Sequence, residues 1–433
     1  MSVLKSQILD YFSKRARYGI REFISKIIYV FVSLLFGWCI IVPLSLLIPR
    51  RGKHVIFIGR EKGHFTDNVK YLYIKFLKSP VAGYKPLFLT EDREEYERLR
   101  RLSIDALIYP SLSSLKLLLT CPVVIVDHDT WAFRFRFFLL YHAKKVQLWH
   151  GVGFKYIGIL KIEKEIENPL FRLGIVLLYK IIGLIPTYDV FVSTSEFYSG
   201  EVFRKAYKAK EIIETGYPRN DIIFNDIEEV LGDRLYLLNT DTDIICRSME
   251  YKKKGMTLIL YAPTFRDSGG DPISDGALDL DRLNQFCRKN NLLFIFKFHP
   301  DPHFAYPDIA CSNILRYNPG LDIYPLFSAI DLLITDYSAI YTDFLLTNRP
   351  VIFFPYDMKK YIRSDRPLQF DYDSMTPGPK CLNQDELQQE IERIMINGDD
   401  KYTDRRRLIL EQTFKFHDGL SSERIIRHIS YRV

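Results

Sequence analysis

The sequence predicts an α/β protein of two domains, each built on a parallel sheet, and three observations predict it. The chain has 433 residues, more than the roughly 250–300 over which a single core keeps growing. Short apolar runs that end in polar loops alternate with helical stretches, the pattern of strands joined by helical crossovers. That alternation runs twice, on either side of a charged segment between Asn225 and Gly255 that lacks a strong strand signal and ends in KKKG. Composition agrees: 47% hydrophobic, 14% aromatic and 26% charged residues make a globular mixture and exclude a disordered, collagen-like or coiled-coil chain. Lysine plus arginine exceed aspartate plus glutamate by 60 to 53, for a net charge of +7, which suits anionic ligands or an anionic membrane surface and is too mild for nucleic acid. The six cysteines (Cys39, Cys121, Cys246, Cys287, Cys311, Cys381) show neither a CxxC pair nor metal-ligand spacing. No disulfide framework or zinc module is expected, and a reducing cytoplasm fits.

Residues 1–52 are read as a basic and apolar membrane-associating segment. Ile27–Pro49 contains no charge and is long enough to cross a hydrocarbon core of about 30 Å. Lys5, Lys14, Arg15, Arg17, Arg21 and Lys26 precede it, Arg50, Arg51 and Lys53 follow, and Pro43 interrupts it. The positive-inside bias therefore keeps both ends on the cytoplasmic side. A peripheral, monotopic or hairpin anchor leads, ahead of a single span and a buried core helix, and a signal peptide would be shorter and nearer the terminus. Trp131–Tyr141 and Leu173–Ile185 read either as further interfacial contacts or as packed core helices.

The first domain, 53–225, opens with the strand His54–Gly59, the polar loop Arg60–Asp67 and a helix over Asn68–Leu77. Its further strands are Pro86–Leu89, Val123–Asp127, Val146–Trp149, Val190–Thr194 and Glu211–Thr215. An interdomain region is expected over 226–256. The second domain, 257–433, carries strands at Thr257–Tyr261, Leu292–Phe298, Ile314–Leu315, Leu332–Thr335 and Val351–Phe354, and a last helix near Arg424–Ser430 that packs back toward the first half. In open parallel sheets the loops beyond the strand ends hold the ligands, so chemistry is expected in a cleft between the two domains.

Those loops hold the candidate residues. In LWHGVG a strand delivers His150 onto a turn with Gly151, which lets a substrate approach the ring. A histidine there is either a general base or a structural residue, and Lys155 either holds an anion or is solvated. In KFHP, Lys297 and His299 offer two phosphate donors, while Pro300 and Pro302 oppose the helix that a metal pair with His303 would need. In LLITDYSAIYTDF a buried strand passes into a helix whose first turn can hold a phosphate, with Ser338 adding a hydroxyl. Asp336 is a cap or a ligand to a hydroxyl group, and Asp343 meets a polyol or supports a neighbour. An ordinary helix cap explains the segment equally well. Arg219 in GYPRND and Arg266 in YAPTFR either clamp phosphate oxygens or make ion pairs. The triplets Asp127-His128-Asp129, Asp241-Thr242-Asp243 and Asp371-Tyr372-Asp373 are read as loop chemistry, and no metal is expected.

Taken in order, WHGVGFKYIG, GYPRND, YAPTFR, KFHP, ITDYSAIYTDF, RPVIFFPYDMKKY and TPGPK, with GHFTDNVKYLY upstream, resemble the CDP-glycerol glycerophosphotransferase family of teichoic-acid primases and polymerases and their capsule relatives. The resemblance covers roughly 53–420. It implies a GT-B-type fold of two Rossmann-like domains facing a central cleft, with the acceptor on the first domain and a CDP-polyol on the second. The implied reaction moves glycerol phosphate, or ribitol phosphate, from CDP-glycerol or CDP-ribitol to a hydroxyl of a lipid-linked or polymeric acceptor at the cytoplasmic membrane face, releasing CMP and using no cofactor. Carried over, His150 matches the general base and His299 a contact to the donor phosphates. Arg266, Lys297, Thr335, Asp336, Ser338, Ala339 and Asp343 fall on the donor side, and Asp67, Gly151, Lys155 and Arg219 on the acceptor or phosphate side. Val152-Gly153 departs from the threonine-proline common in the family, so the acceptor loop is expected to differ. A sugar-nucleotide glycosyltransferase and a non-catalytic membrane-associated assembly protein are the alternatives.

Overall fold

Two parallel sheets carry the fold of this chain, a computed structural model that describes residues 28, 30–50, 52–81, 83–266, 268–299, 311–365 and 367–430. The basic residues before Ile27, Arg51, and His303 with its flanking prolines lie outside the described residues. The chain forms two compact units. The first comprises the described residues up to His150, then Tyr156–Thr215 and the stretch from Ser422, and the second comprises Gly151–Lys155 and Gly216–Ser421.

The first unit holds seven strands, β1 (His54–Ile58), β2 (Lys85–Thr90), β3 (Ala106–Ile108), β4 (Val123–Val126), β5 (Lys144–Gln147), β6 (Thr187–Ser193) and β7 (Lys208–Glu214). They lie in the order β3-β2-β1-β4-β5-β6-β7, all parallel. Val55–Ile58 and Val123–Val126 are buried throughout, as befits central strands with helices on both faces. Because the order reverses between β1 and β4, the loops after those strands diverge and leave a crevice at their C-terminal ends. The sequence does not single out β3, a three-residue edge strand.

The second unit repeats the plan with β8 (Thr257–Ala262), β9 (Leu292–Phe296), β10 (Ile314–Arg316), β11 (Leu332–Thr335) and β12 (Val351–Phe353), in the order β10-β9-β8-β11-β12. Its core gathers Ile259, Tyr261, Phe294, Phe296, Ile334 and Ile352, and its switch point lies between β8 and β11. The interdomain region expected over 226–256 is corrected: the division falls at Thr215/Gly216. The segment is charged because it forms surface helices, Ile227–Gly232 and Thr242–Lys253, which bury only Val230, Ile244, Ile245, Ser248 and Met249. The helix Ser421–Ser430 meets the first unit through Lys75–Glu423 and His428–Glu211 contacts of 3.9 and 3.3 Å.

Val30–Leu47 is the one helix among the described residues long and apolar enough to cross a membrane. It winds as a π-helix over Ser33–Ile41 and as an α-helix over Val42–Leu47, with Pro43 just after the change of winding. Only a narrow stripe, Ser33, Gly37, Val42 and Ser45, is buried. A Cβ on Gly37 would stand 2.6 Å from the Phe138 ring, and Trp38 Nε1 donates to the Ile181 carbonyl at 2.9 Å. Phe31, Leu35, Phe36, Ile40, Leu44 and Leu47 are exposed, so the core-helix alternative is corrected: small residues seat the helix and its large ones face outward. Arg50 works as a peg, donating to the carbonyls of Leu118, Cys121 and Leu139 at 2.8–2.9 Å. Within Trp131–Tyr141 most side chains are core, Arg136 included, with Phe133 and Tyr141 on the surface. The helix Pro169–Ile181 turns Leu170, Leu173, Leu177 and Ile181 outward.

Candidate active site

The crevice of the first unit is lined by the loops after β1, β4 and β5, and the last of these carries His150. Trp149 stands at φ +60°, a left-handed conformation that bulky residues adopt only when their surroundings hold them there. Here Gln147 Oε1 accepts from its N–H at 2.9 Å and Asn68 Nδ2 donates to its carbonyl at 2.8 Å. The His150 ring then lies with its centroid 4.2 Å from the Trp149 indole, tilted by 35°, and its Nδ1 lies 3.1 Å from the Asp127 carbonyl. A carbonyl only accepts, so Nδ1 carries the hydrogen and Nε2 the lone pair. Burial, then the neighbouring His128 and Arg60, push the imidazole down to about 3, with Asp67 and the Asp127 carbonyl opposing. The ring is thus a neutral base at physiological pH.

Asp67, placed on the acceptor side by the resemblance, opens the helix Asp67–Lys78 at φ +58°. It accepts from Asn68 N at 2.8 Å and meets Arg60 Nη1 at 3.4 Å. Gly151, Lys155 and Arg219, expected in the first domain on the acceptor or phosphate side, belong to the second unit. Thr342 Oγ1 lies 3.1 Å from the Val152 carbonyl, Phe154 stacks on Tyr341 at 5.4 Å and accepts from Gln369 N at 2.5 Å, and Lys155 bridges to Leu368. A Cβ on Gly153 would fall 2.9 Å from that of Ala339, so the Val152-Gly153 departure from the family pattern permits close approach to the Ser338–Ala339 turn.

At the switch point of the second unit the expected donor residues divide. Thr335, Asp336, Asp343 and Arg266 are at most 1% exposed. Thr335 Oγ1 donates to the Ala262 carbonyl on β8 at 2.7 Å. Asp336 accepts from Thr264 N and Tyr337 N at 2.8 and 2.6 Å and pairs with Arg266 Nη1 at 2.7 Å. Arg266 also grips Asp357 through Nε and Nη2, both at 2.9 Å. Burial works against that guanidinium and the two carboxylates outweigh it, so its pKa rises. Asp343 accepts from Arg219 Nη2 and Tyr324 Oη at 2.5 Å and from Asn220 Nδ2 at 2.9 Å. Of the two readings of Arg266 and Arg219, the ion pair is the one these distances describe, with both guanidinium groups used inside the unit to tie one loop to the next.

The outer set is different. Ser338 and Ala339 are partly exposed, ahead of a helix of only five residues, Ile340–Phe344, and Ser338 Oγ accepts weakly from Ile340 N at 3.4 Å. Lys297 lies beyond the end of β9 and donates to the Pro319 carbonyl. His299 is exposed and packs 5.6 Å from the Phe265 ring, at a shallow cleft also lined by Thr264 and Phe298. Thr264 Oγ1 is buried with no hydrogen-bond partner, a hydroxyl that sequence reasoning passed over. His128, Asp129 and Arg60 beside His150 were likewise missed, because their place follows from β1, β4 and β5 being neighbours. Of the aspartate triplets, Asp241 and Asp371 cap helices, and no metal-binding cluster of histidine, cysteine or acidic residues occurs among the described residues.

Comparison with known proteins follows this division of parts. The chain is 27% identical to a teichoic acid poly(glycerol phosphate) polymerase of Bacillus spizizenii over 94% of this chain and 99% of that one. It is 27% identical to the teichoic acid ribitol-phosphate primase of the same organism, over 89% and 93%. With the ribitol-phosphate polymerase TarL of Staphylococcus aureus it shares 26% over 88% of its own length but only 63% of that protein, and it spans 57% of a second poly(ribitol-phosphate) polymerase. Among solved structures the wall teichoic acid polymerase TagF matches with a TM-score of 0.68 at 19% identity, covering 95% of this chain and 98% of that one. That likeness carries the fold, which is GT-B-type as the sequence resemblance implied. The profile of the CDP-glycerol:poly(glycerophosphate) glycerophosphotransferases matches residues 40–431, and the chain belongs to that family.

Proposed function

We propose that the protein transfers a polyol phosphate, glycerol phosphate in the first instance, from a CDP-activated donor to a hydroxyl of a membrane-linked glycan or polyol-phosphate acceptor, in teichoic-acid-like or capsule polymer synthesis. The observation that carries the reading is the tautomer of His150, with Nδ1–H committed to the Asp127 carbonyl. Nε2 takes the proton of the acceptor hydroxyl as its oxygen attacks the phosphorus that bears the polyol. The bond to the CMP oxygen breaks, that oxygen keeps the electron pair, and a phosphodiester forms. Negative charge gathers on the departing CMP, where His299, Ser338 and the Thr264 hydroxyl supply donors. The buried Arg266, Asp336 and Asp343 keep the loops that present these donors in register.

The exposed apolar faces of Val30–Leu47 and Pro169–Ile181 support a monotopic attachment at the cytoplasmic side of the membrane, where a lipid-linked acceptor would be met. The test of the reaction incubates the protein with labelled CDP-glycerol, CDP-ribitol and UDP-sugars and identifies the nucleotide released. CMP from a CDP-polyol is expected, with a loss of about 10²–10⁴-fold in His150→Gln. Release of UDP from a UDP-sugar would replace this reading with a glycosyltransferase.

A further inference from the structure

Beside His150 stands a second imidazole that the transfer chemistry above leaves unused. The His128 ring centroid lies 4.7 Å from that of His150 with a tilt of 31°, and its plane runs within 3° of the Trp149 indole. The ring is pegged through Nδ1, which without a hydrogen accepts from the Thr130 backbone N–H at 3.2 Å and caps the turn Asp129–Ala132, and with one donates to Asp129 Oδ1 at 2.9 Å. The carbonyl that fixes the His150 tautomer belongs to Asp127, the residue just before it. Three consecutive residues after β4 thus supply the hydrogen-bond acceptor for His150, a flat face against its ring, and a carboxylate behind that face.

Resting on the reading of His150 as general base, we propose that His128 is a positioning residue for that base: held by Asp129 and Thr130, its ring backs the His150 imidazole and keeps Nδ1 on the Asp127 carbonyl, so that Nε2 faces the acceptor hydroxyl. The arrangement acts on charge as well. When His150 becomes an imidazolium during turnover, Asp129 supplies a balancing carboxylate one residue away from the adjoining ring. The other charged and titratable groups facing the pair are Arg60 and Asp67 from the loop after β1, Asp127 at the end of β4, and Tyr188 and Tyr207 on the side of Asp129. Burial opposes the charge on Asp129, and the hydrogen bond and field of His128, with His150, outweigh it, leaving the carboxyl below its usual range.

The experiment compares full-length wild type, His128→Ala, His128→Phe, Asp129→Asn and His150→Gln. It measures CMP release between pH 5 and 9 from whichever of CDP-glycerol and CDP-ribitol turns over, onto a synthetic lipid-linked glycerol phosphate acceptor, together with melting temperature. His128→Ala should lower kcat about 10–100-fold, within the range that general-base catalysis commands, with the donor KM within about twofold. His128→Phe should restore most of that loss above pH 7, because a flat ring again backs the base. Wild type should show no acid limb from His150 within the measured pH range, and His128→Phe should bring one into it from below, because a neighbour that disfavours protonation of His150 is gone. If His128→Ala misfolds, His128→Phe decides the matter through that acid limb and Asp129→Asn through a lowered kcat at unchanged donor KM. Wild-type kcat and pH profile in these variants, alongside an inactive His150→Gln, would overturn the proposal and leave the base intact. A fully active His150→Gln, or no CMP from either donor, would instead sink the reading on which it rests.

Discussion

Replacing Arg266 by methionine tests whether this arginine is part of the frame or a ligand contact. Its side chain is 1% exposed, forked onto Asp357 and paired with Asp336, and ringed by Tyr337, Tyr356 and Tyr361 with centroids 5.3–5.4 Å from the guanidinium. Methionine keeps the length and removes the charge. Taking one partner from a buried ion network leaves its carboxylates uncompensated, which costs about 3–5 kcal/mol. In a unit of this size each kcal/mol moves the transition by about 2–4 °C, so the second unit should melt about 6–20 °C lower. Calorimetry, with a parallel titration of CDP-glycerol, reads both outcomes. Lysine should recover only part of the loss, because it cannot fork. Removing the whole network, as Arg266→Met with Asp336→Asn and Asp357→Asn, should recover much of it, since paired polar groups replaced together leave no orphan charge. A methionine variant that melts within about 2 °C of wild type but no longer binds donor would refute the structural account.

Other expectations follow from the same geometry. Because the folded His150 is held at about 3, kcat/KM should stay level as pH falls through the ordinary imidazole range near 6.5. The unfolded chain does take up that proton, so stability present at pH 8 is lost between pH 6.5 and 3, about 1.4 kcal/mol of it by pH 5.5. Urea titrations at pH 8 and 5.5 should show that component vanish in His150→Gln. Asp343→Ala leaves Arg219, Asn220 and Tyr324 without their common acceptor and should cost about 3–5 kcal/mol, read by the same calorimetry. Thr264→Val should weaken CDP-glycerol binding about tenfold or less, the worth of one hydrogen bond, while melting stays level. Leu44→Lys with Leu47→Lys should cut pelleting with anionic vesicles without altering soluble donor binding, and unchanged pelleting would move the membrane contact elsewhere.

The central strands were legible because they are continuous apolar runs, as HVIFI, VVIV and LLIT show. What the sequence could not convey is which strands are neighbours. Asp127-His128-Asp129 looked like loop chemistry until β4 lay beside β5 and brought it to the ring of His150. The histidines at the ends of β5 and β9 were readable as strand-terminal residues, whereas Arg266, Arg219, Asp336 and Asp343 carried a misleading signal. Charged residues in loops suggest ligands, yet here they satisfy one another in the interior, and only burial and partner distances reveal that. The expected linker failed for a related reason, since a polar stretch with few strand formers is equally the surface of short helices such as Thr242–Lys253.

The route of the backbone also limits how this protein can be taken apart. The chain leaves the first unit after His150, returns at Tyr156, leaves again at Gly216 and returns at Ser422. A fragment ending at residue 215 would therefore carry Val152 and Phe154 with nothing to cover them and would lack the closing helix, while one beginning at 216 would have a bare groove over Tyr341. Expression of either half as a single stretch should yield aggregating material, and co-expression of fragments cut at an exposed surface loop is the workable way to divide it.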